Sequence, residues 1–308
     1  MDERYAVERY EQAAAILPVR WQRAAMHLPD WQKAQAEELR LRVGQPMTVL
    51  LPEGEIFVQQ EQPRTAVAQA DLEQLCDIVT GYSRYAVGDT LSHGYLTATG
   101  GFRVGLCGSA VMHSGHMTNL RDFSSATIRI SRERIGLAEK VLPQLMTEGT
   151  FSGTLIYSPP GLGKTTLLRD MIRLLSDGSG QIPARRVAVA DERGEIAVMH
   201  QGRAQMAVGC HTDVLDGCPK ALAIPILLRS ANPQIIAVDE ITMQADLQAM
   251  AQAAGCGVAL LATIHAAHPA ELQEKPLYRQ LLEQRVFRFA VRISRTQEGR
   301  VYTVEELP

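Results

Sequence analysis

The run Ser158-Pro159-Pro160-Gly161-Leu162-Gly163-Lys164-Thr165-Thr166 carries the clearest chemistry in this chain. Two glycines, a lysine and a threonine stand at the spacing with which a loop wraps a phosphate group. Gly161 and Gly163 can take the backbone angles that turn successive N–H groups inward. Lys164 adds a positive charge for the outer phosphate oxygens, and the Thr165 hydroxyl is suited to bind Mg2+. Pro160, Leu162 and Thr166 complete the stretch expected to line a nucleotide. The pattern asks for glycine first, and Ser158 stands there; a small serine is tolerated if its φ is negative. A short apolar run, residues 153–158, precedes the loop. A helical stripe over 164–175, with Leu167, Leu168, Met171, Ile172, Leu174 and Leu175, follows it. Phosphate would then rest on a helix N-terminus, where unpaired N–H groups and the helix dipole favour anions.

Three further apolar runs end in groups that suit hydrolysis. Ile235–Asp239 ends at Asp239-Glu240, carboxylates able to hold magnesium, partly through water, and to orient an attacking water. Consecutive side chains of an extended strand point to opposite faces, so one of these two is expected to face the phosphate. Val187–Ala190 leads into Asp191-Glu192-Arg193-Gly194-Glu195, and a fourth run closes at Thr263-Ile264-His265. Taken singly, an acidic loop is usually just solvated, and a histidine after a strand is usually a hydrogen-bonding residue. Their coincidence at the carboxyl ends of strands is the stronger signal, because open α/β sheets bind ligands there.

The elements that must position these groups alternate strand and helix through residues 136–308, with helices over 219–230 and 243–254 and a finishing antiparallel hairpin over 286–294 and 300–305. That pattern predicts an α/β domain with a mainly parallel sheet. Residues 1–135 read as a smaller α+β domain. Helices are expected over 4–23 and 71–82, strands over 38–42, 48–51 and 102–107, and turns at Gly88, Gly94, Gly100, Gly101 and Gly105. A chain of 308 residues, 46% hydrophobic and 21% charged, is long enough for two such cores. A net charge of −3 and 5% aromatic content make a nucleic-acid partner unlikely. The five cysteines form no CxxC pair and read as reduced thiols. Met1-Asp2-Glu3-Arg4 is no secretory leader and no run suits a membrane span, so a soluble cytoplasmic protein is expected, able to dock on a membrane complex.

In this order the four strand ends resemble the secretion-superfamily ATPases of type II and type IV secretion and of pilus retraction. Their Walker A loop, Asp box, Walker B strand and His box would fall at 158–166, 191–195, 228–240 and 263–265. Glu38–Pro46, Gly100–Gly105 and Thr212–Lys220 narrow the resemblance to the branch serving endospore formation. It implies a RecA-like P-loop domain, a hexameric homo-oligomer, and ATP with Mg2+ bound between N- and C-terminal domains. It also implies work for an integral-membrane, secretion-like channel between mother cell and forespore, from the mother-cell cytoplasm at the membrane periphery. Carried over by position, Glu240 positions magnesium and water beside Asp239, and Glu192 is the general base, with Asp191 and Glu195 as rivals. His265 contacts the γ-phosphate, and Arg103 and Arg129 neutralise charge on the transferred group as arginine fingers do. Departures are Ser158, the short His box, and His211 where arginine is expected. Two other readings are an ATP-gated ring scaffold with little turnover and a RecA-like ATPase that translocates nucleic acid.

Overall fold

The computed structural model describes residues 3–58, 65–81, 95–113, 115–180, 182–297 and 299–307. They divide into two compact units, residues 1–132 with 200–205, and residues 133–199 with 206–308.

The first unit opens with α1 (Glu3–Ala14) and α2 (Val19–Met26). The expected single helix over 4–23 is therefore broken. Pro18 disfavours helical geometry at Leu17 before it and begins α2 as its N-cap. After α3 (Asp30–Gln35) come β1 (Glu38–Arg42), β2 (Thr48–Leu51), β3 (Gly54–Phe57), α4 (Gln69–Val79), β4 (Tyr95–Ala98), β5 (Phe102–His113) and β6 (His116–Arg129). They form an antiparallel sheet in the order β3-β2-β1-β6-β5-β4. Period-two alternation in β1 buries Leu39 and Leu41 against Tyr10, Trp21, Leu72 and Leu75. On the other face Glu55 accepts from Arg42 at 2.9 Å and from Thr48 at 2.9 Å. Those two hydrogen bonds, Arg42's first, hold the Glu55 carboxyl down at about 2. The strand expected to end at Cys107 continues to His113, because β6 pairs with it along most of its length. Gln205 Oε1 accepts from the Gly100 amide at 2.7 Å, which ties the returning segment 200–205 into this unit. Tyr82, Gly88 and Gly94 lie outside the described residues.

The second unit contains β7 (Thr154–Ser158), α5 (Lys164–Asp177), β8 (Val187–Asp191), β9 (Thr212–Asp216), α6 (Lys220–Ser230), β10 (Ile235–Val238), α7 (Gln244–Gly255), β11 (Ala259–His265), β12 (Phe289–Thr296) and β13 (Gly299–Glu306). The sheet order is β9-β8-β10-β11-β7-β12-β13, parallel throughout except for β13 against β12. Strands β7, β8 and β10 are buried at every residue, as a sheet covered on both faces requires. Leu167, Leu168 and Met171 of α5 pack on Ile156, Val189 and Ala237 on one face. Ala223 and Ile224 of α6 and Leu247 and Met250 of α7 cover Leu155, Ala188 and Ile236 on the other. β9 was not anticipated; it is an edge strand, only half-buried, without an apolar run to announce it. Among the described residues no helix is long and apolar enough to cross a membrane.

Candidate nucleotide site

Strand register brings the four chemically marked ends to one level. Ser158 pairs with His265 between β7 and β11, Val238 with Ala262 between β10 and β11, and Ala190 with Val238 between β8 and β10. The loop 158–166, the acids after Val238, the acids after Ala190 and His265 thus share one edge of the sheet.

Within the loop, Gly161 has φ 77° and Gly163 has φ 94° with ψ 33°, left-handed values that a Cβ would strain. Gly163 caps α5, so the helix begins at Lys164. Ser158 is fully buried, is not among the positive-φ residues, and donates its hydroxyl to Pro159 O at 2.9 Å. A serine is therefore accommodated at the first position. Pro160 and Gly161 form the exposed tip, while Leu162 packs against the core beneath α5.

Lys164 is buried and donates to Ser158 O at 3.0 Å, Pro159 O at 3.3 Å and His265 Nδ1 at 2.7 Å. Burial pulls its pKa below the ordinary lysine value, with Glu240 and Asp239 acting against that pull. An ammonium can only donate, so His265 Nδ1 is the acceptor and the imidazole proton lies on Nε2. That nitrogen faces Glu240 Oε2 at 3.2 Å. The same carboxylate oxygen lies 3.5 Å from Arg193. A neutral imidazole thus links the loop lysine to the strand-end glutamate.

Asp239 takes the other side of the loop. Its Oδ1 accepts from Thr263 at 2.9 Å and its Oδ2 from Thr165 at 3.4 Å. Asp239 thus meets the loop directly, and Glu240 reaches it through His265. The strand ends at Val238 and the chain bends at Asp239, so extended-strand alternation no longer applies. Among the described residues no three His, Cys, Asp or Glu side chains gather as a metal cage. A hydroxyl beside a carboxylate suits Mg2+, which takes few protein oxygens and fills its remaining positions with phosphate and water.

The three rival acids after β8 are sorted by their partners. Asp191 is buried, and its carboxylate accepts from the amides of Glu195 at 2.8 Å, Ile196 at 3.1 Å and Ala197 at 2.9 Å. That carboxylate shapes its own loop. Arg169 of α5 binds the same loop from behind, donating to Glu195 O and Ile196 O, each at 2.6 Å. Glu192 receives a 2.5 Å hydrogen bond from Lys220. Partial burial would raise the Glu192 pKa, but the hydrogen bond and charge of Lys220 outweigh it and hold the carboxyl below its ordinary value. Lys220 and Arg169 were missed from sequence. Lys220 did leave a signal: a cation in the first turn of a helix opposes the helix dipole and calls for an acidic partner.

Arg103 and Arg129 belong to the first unit, where they are direct cross-strand partners. Arg103 stacks over Tyr95, 4.9 Å from the ring centroid, and Arg129 lies 3.9 Å from Glu38. His211 bonds to Ser176, at the far end of α5 from the loop.

A loop of the phosphate-binding pattern between strand and helix of a largely parallel sheet, level with acids at the ends of other strands of that sheet, defines the RecA-like P-loop class. Known structures agree on the fold. The ATPase DotB of Legionella pneumophila covers 94% of this chain and 80% of its own at TM-score 0.57 and 17% identity. The pilus retraction motor PilT with bound ADP covers 89% and 80% at TM-score 0.59 and 17% identity. The model of the family "Sporulation stage III, protein AA" matches residues 7–306, and the chain belongs to that family. Stage III sporulation protein AA of Bacillus subtilis (strain 168) is 34% identical over 284 residues, 92% of this chain and 91% of that protein.

Proposed function

We propose that this protein is an ATP-hydrolysing motor of the secretion type, which energises or assembles the channel complex between mother cell and forespore. The observation that carries this reading is the continuous link Lys164–His265–Glu240, with Asp239 on Thr165 beside it. A loop built only to bind nucleotide has no need of acids joined to its lysine through an imidazole. Bound phosphate would draw the Lys164 ammonium from the loop carbonyls, leaving His265 to turn toward the terminal phosphate. Thr165, with Asp239 and with Glu240 through water, would hold Mg2+, whose charge screens the phosphate oxygens. Glu192 would accept the proton of the attacking water, and Arg103 and Arg129 would offset charge on the transferred group. Membership of a sporulation family supports the cellular setting. Six copies in a ring, an integral-membrane partner and a place in the mother-cell cytoplasm complete the proposal.

The test is phosphate release by the purified chain and its Lys164→Ala and Glu240→Gln variants. Both substitutions should abolish turnover, and only the first should abolish nucleotide binding. Turnover that survives both would overturn the motor. The Lys220–Glu192 pair favours a second reading, an ATP-gated ring that turns over little, because a paired carboxylate is a weak base. Nucleotide-dependent assembly without phosphate release would select it.

A further inference from the structure

Gly163 ends the phosphate loop, and the group resting on it comes from the far end of the chain. A Cβ built on Gly163 would meet Arg300 at 3.1 Å from Nη1 and 3.3 Å from Cζ. The guanidinium therefore covers the residue from which α5 starts. Topology explains its arrival. β12 runs parallel to β7, with Val291 beside Ile156 and Arg292 beside Tyr157. Its carboxyl end, and the turn into β13, therefore reach the same edge of the sheet as the loop. Arg300 is the second residue of β13, opposite Arg295.

The electrostatics of this flank are unbalanced. Arg300 is exposed, and among the described residues no carboxylate pairs with it. It faces a helix N-terminus, whose dipole repels a cation. The acids of the site, Asp239 and Glu240, follow β10, and the sheet order β10-β11-β7-β12-β13 puts them on the opposite side of the loop. Two like-signed features held together without a counter-charge suit an anion lying between them. Because the transferred phosphoryl group has to meet the acids, a polyphosphate in the loop directs its other end toward Arg300.

We propose that Arg300 is a nucleotide-binding residue, contacting the phosphate at the nucleoside end of a nucleoside di- or triphosphate held by its own chain's loop. The proposal rests on the reading of 158–166 as a nucleotide site. A contact away from the transferred group stabilises ground state and transition state alike, so it sets affinity and leaves the chemical step untouched.

The experiment measures equilibrium binding of a fluorescent ADP and of a non-hydrolysable ATP analogue to the full chain, with thermal melting as a fold control. Arg300→Ala should weaken both nucleotides by the same factor, about tenfold for one exposed charge-assisted contact. Arg300→Lys should recover part of the loss for both nucleotides. Unchanged or tighter binding by Arg300→Ala would overturn the proposal, as would a loss confined to the ATP analogue, which would put the arginine at the γ-phosphate. A wild-type chain that binds neither nucleotide, or a Lys164→Ala variant that binds as tightly as wild type, would instead defeat the nucleotide-site reading itself.

Discussion

Removing the Asp191 carboxylate should unfold the second unit more readily rather than stop chemistry directly. The side chain is buried and accepts from three consecutive amides, those of Glu195, Ile196 and Ala197. A hydrogen bond to a charged group contributes about 1.5–3 kcal/mol, and a buried donor left without a partner costs a similar amount. The three bonds share one acceptor and one loop, so their losses are not additive. Asp191→Ala should then cost about 3–5 kcal/mol, a large part of the roughly 5–15 kcal/mol that holds a domain folded. Asp191→Asn keeps one acceptor oxygen but sets an amide N–H against the remaining donors, for about 2 kcal/mol. With a urea slope of about 2 kcal/mol/M, the midpoint of the second unit should fall by about 1 M for the asparagine variant and further for alanine. Circular dichroism across a urea titration reads this directly, and nucleotide binding by the folded fraction should persist. A wild-type midpoint for Asp191→Asn, together with lost turnover at unchanged nucleotide affinity, would refute the argument and make Asp191 the base.

Lys220→Met removes the side chain that most opposes burial at the Glu192 carboxyl, leaving the charge of Arg193 and the backbone of residue 220 against it, so its pKa rises. A base has to be ionised, so the acidic limb of the kcat profile should move to higher pH; an unmoved limb would separate Glu192 from proton transfer. Gly163→Ala forces a left-handed residue at about 1–2 kcal/mol and drives a methyl group into Arg300, so nucleotide affinity should fall and the melting temperature should drop by about 2–8 °C. The Glu55 carboxyl is depressed to about 2 from 4.5. Its stabilising effect is therefore complete above the unfolded value and lost as pH falls toward the folded one. Glu55→Gln should flatten the decline in melting temperature of the first unit between about pH 4.5 and pH 2.

What could be read in advance was what depends on near neighbours in sequence. The loop glycines, the lysine and the flanking apolar runs fix one another by spacing, so β7, its loop and α5 could be assigned without coordinates. Side-chain partnerships that depend on register could not. Nothing local tells that Asp191 turns back onto its own loop while Glu192 reaches Lys220 on the following helix. The alternation rule does not reach Asp239-Glu240, because it holds only while the strand continues and β10 stops at Val238. β6 was missed for a related reason: its outer half is largely exposed, which leaves no apolar period to read. Lys220 and Pro18 were legible in principle, one as a cation at a helix start and the other as a break in a helical run.

The return of residues 200–205 to the first unit gives the chain an uncommon connectivity. The polypeptide passes between the units three times, near 132, 199 and 205, where a simple two-domain chain passes once. No single cut yields two complete pieces: a fragment ending at 132 lacks six residues of its unit, and one starting at 133 carries those six without their partners. Any movement of one unit against the other has to be absorbed at three backbone crossings together. Expression of either half alone should therefore give a protein frayed where residues 200–205 are missing or left without their partners.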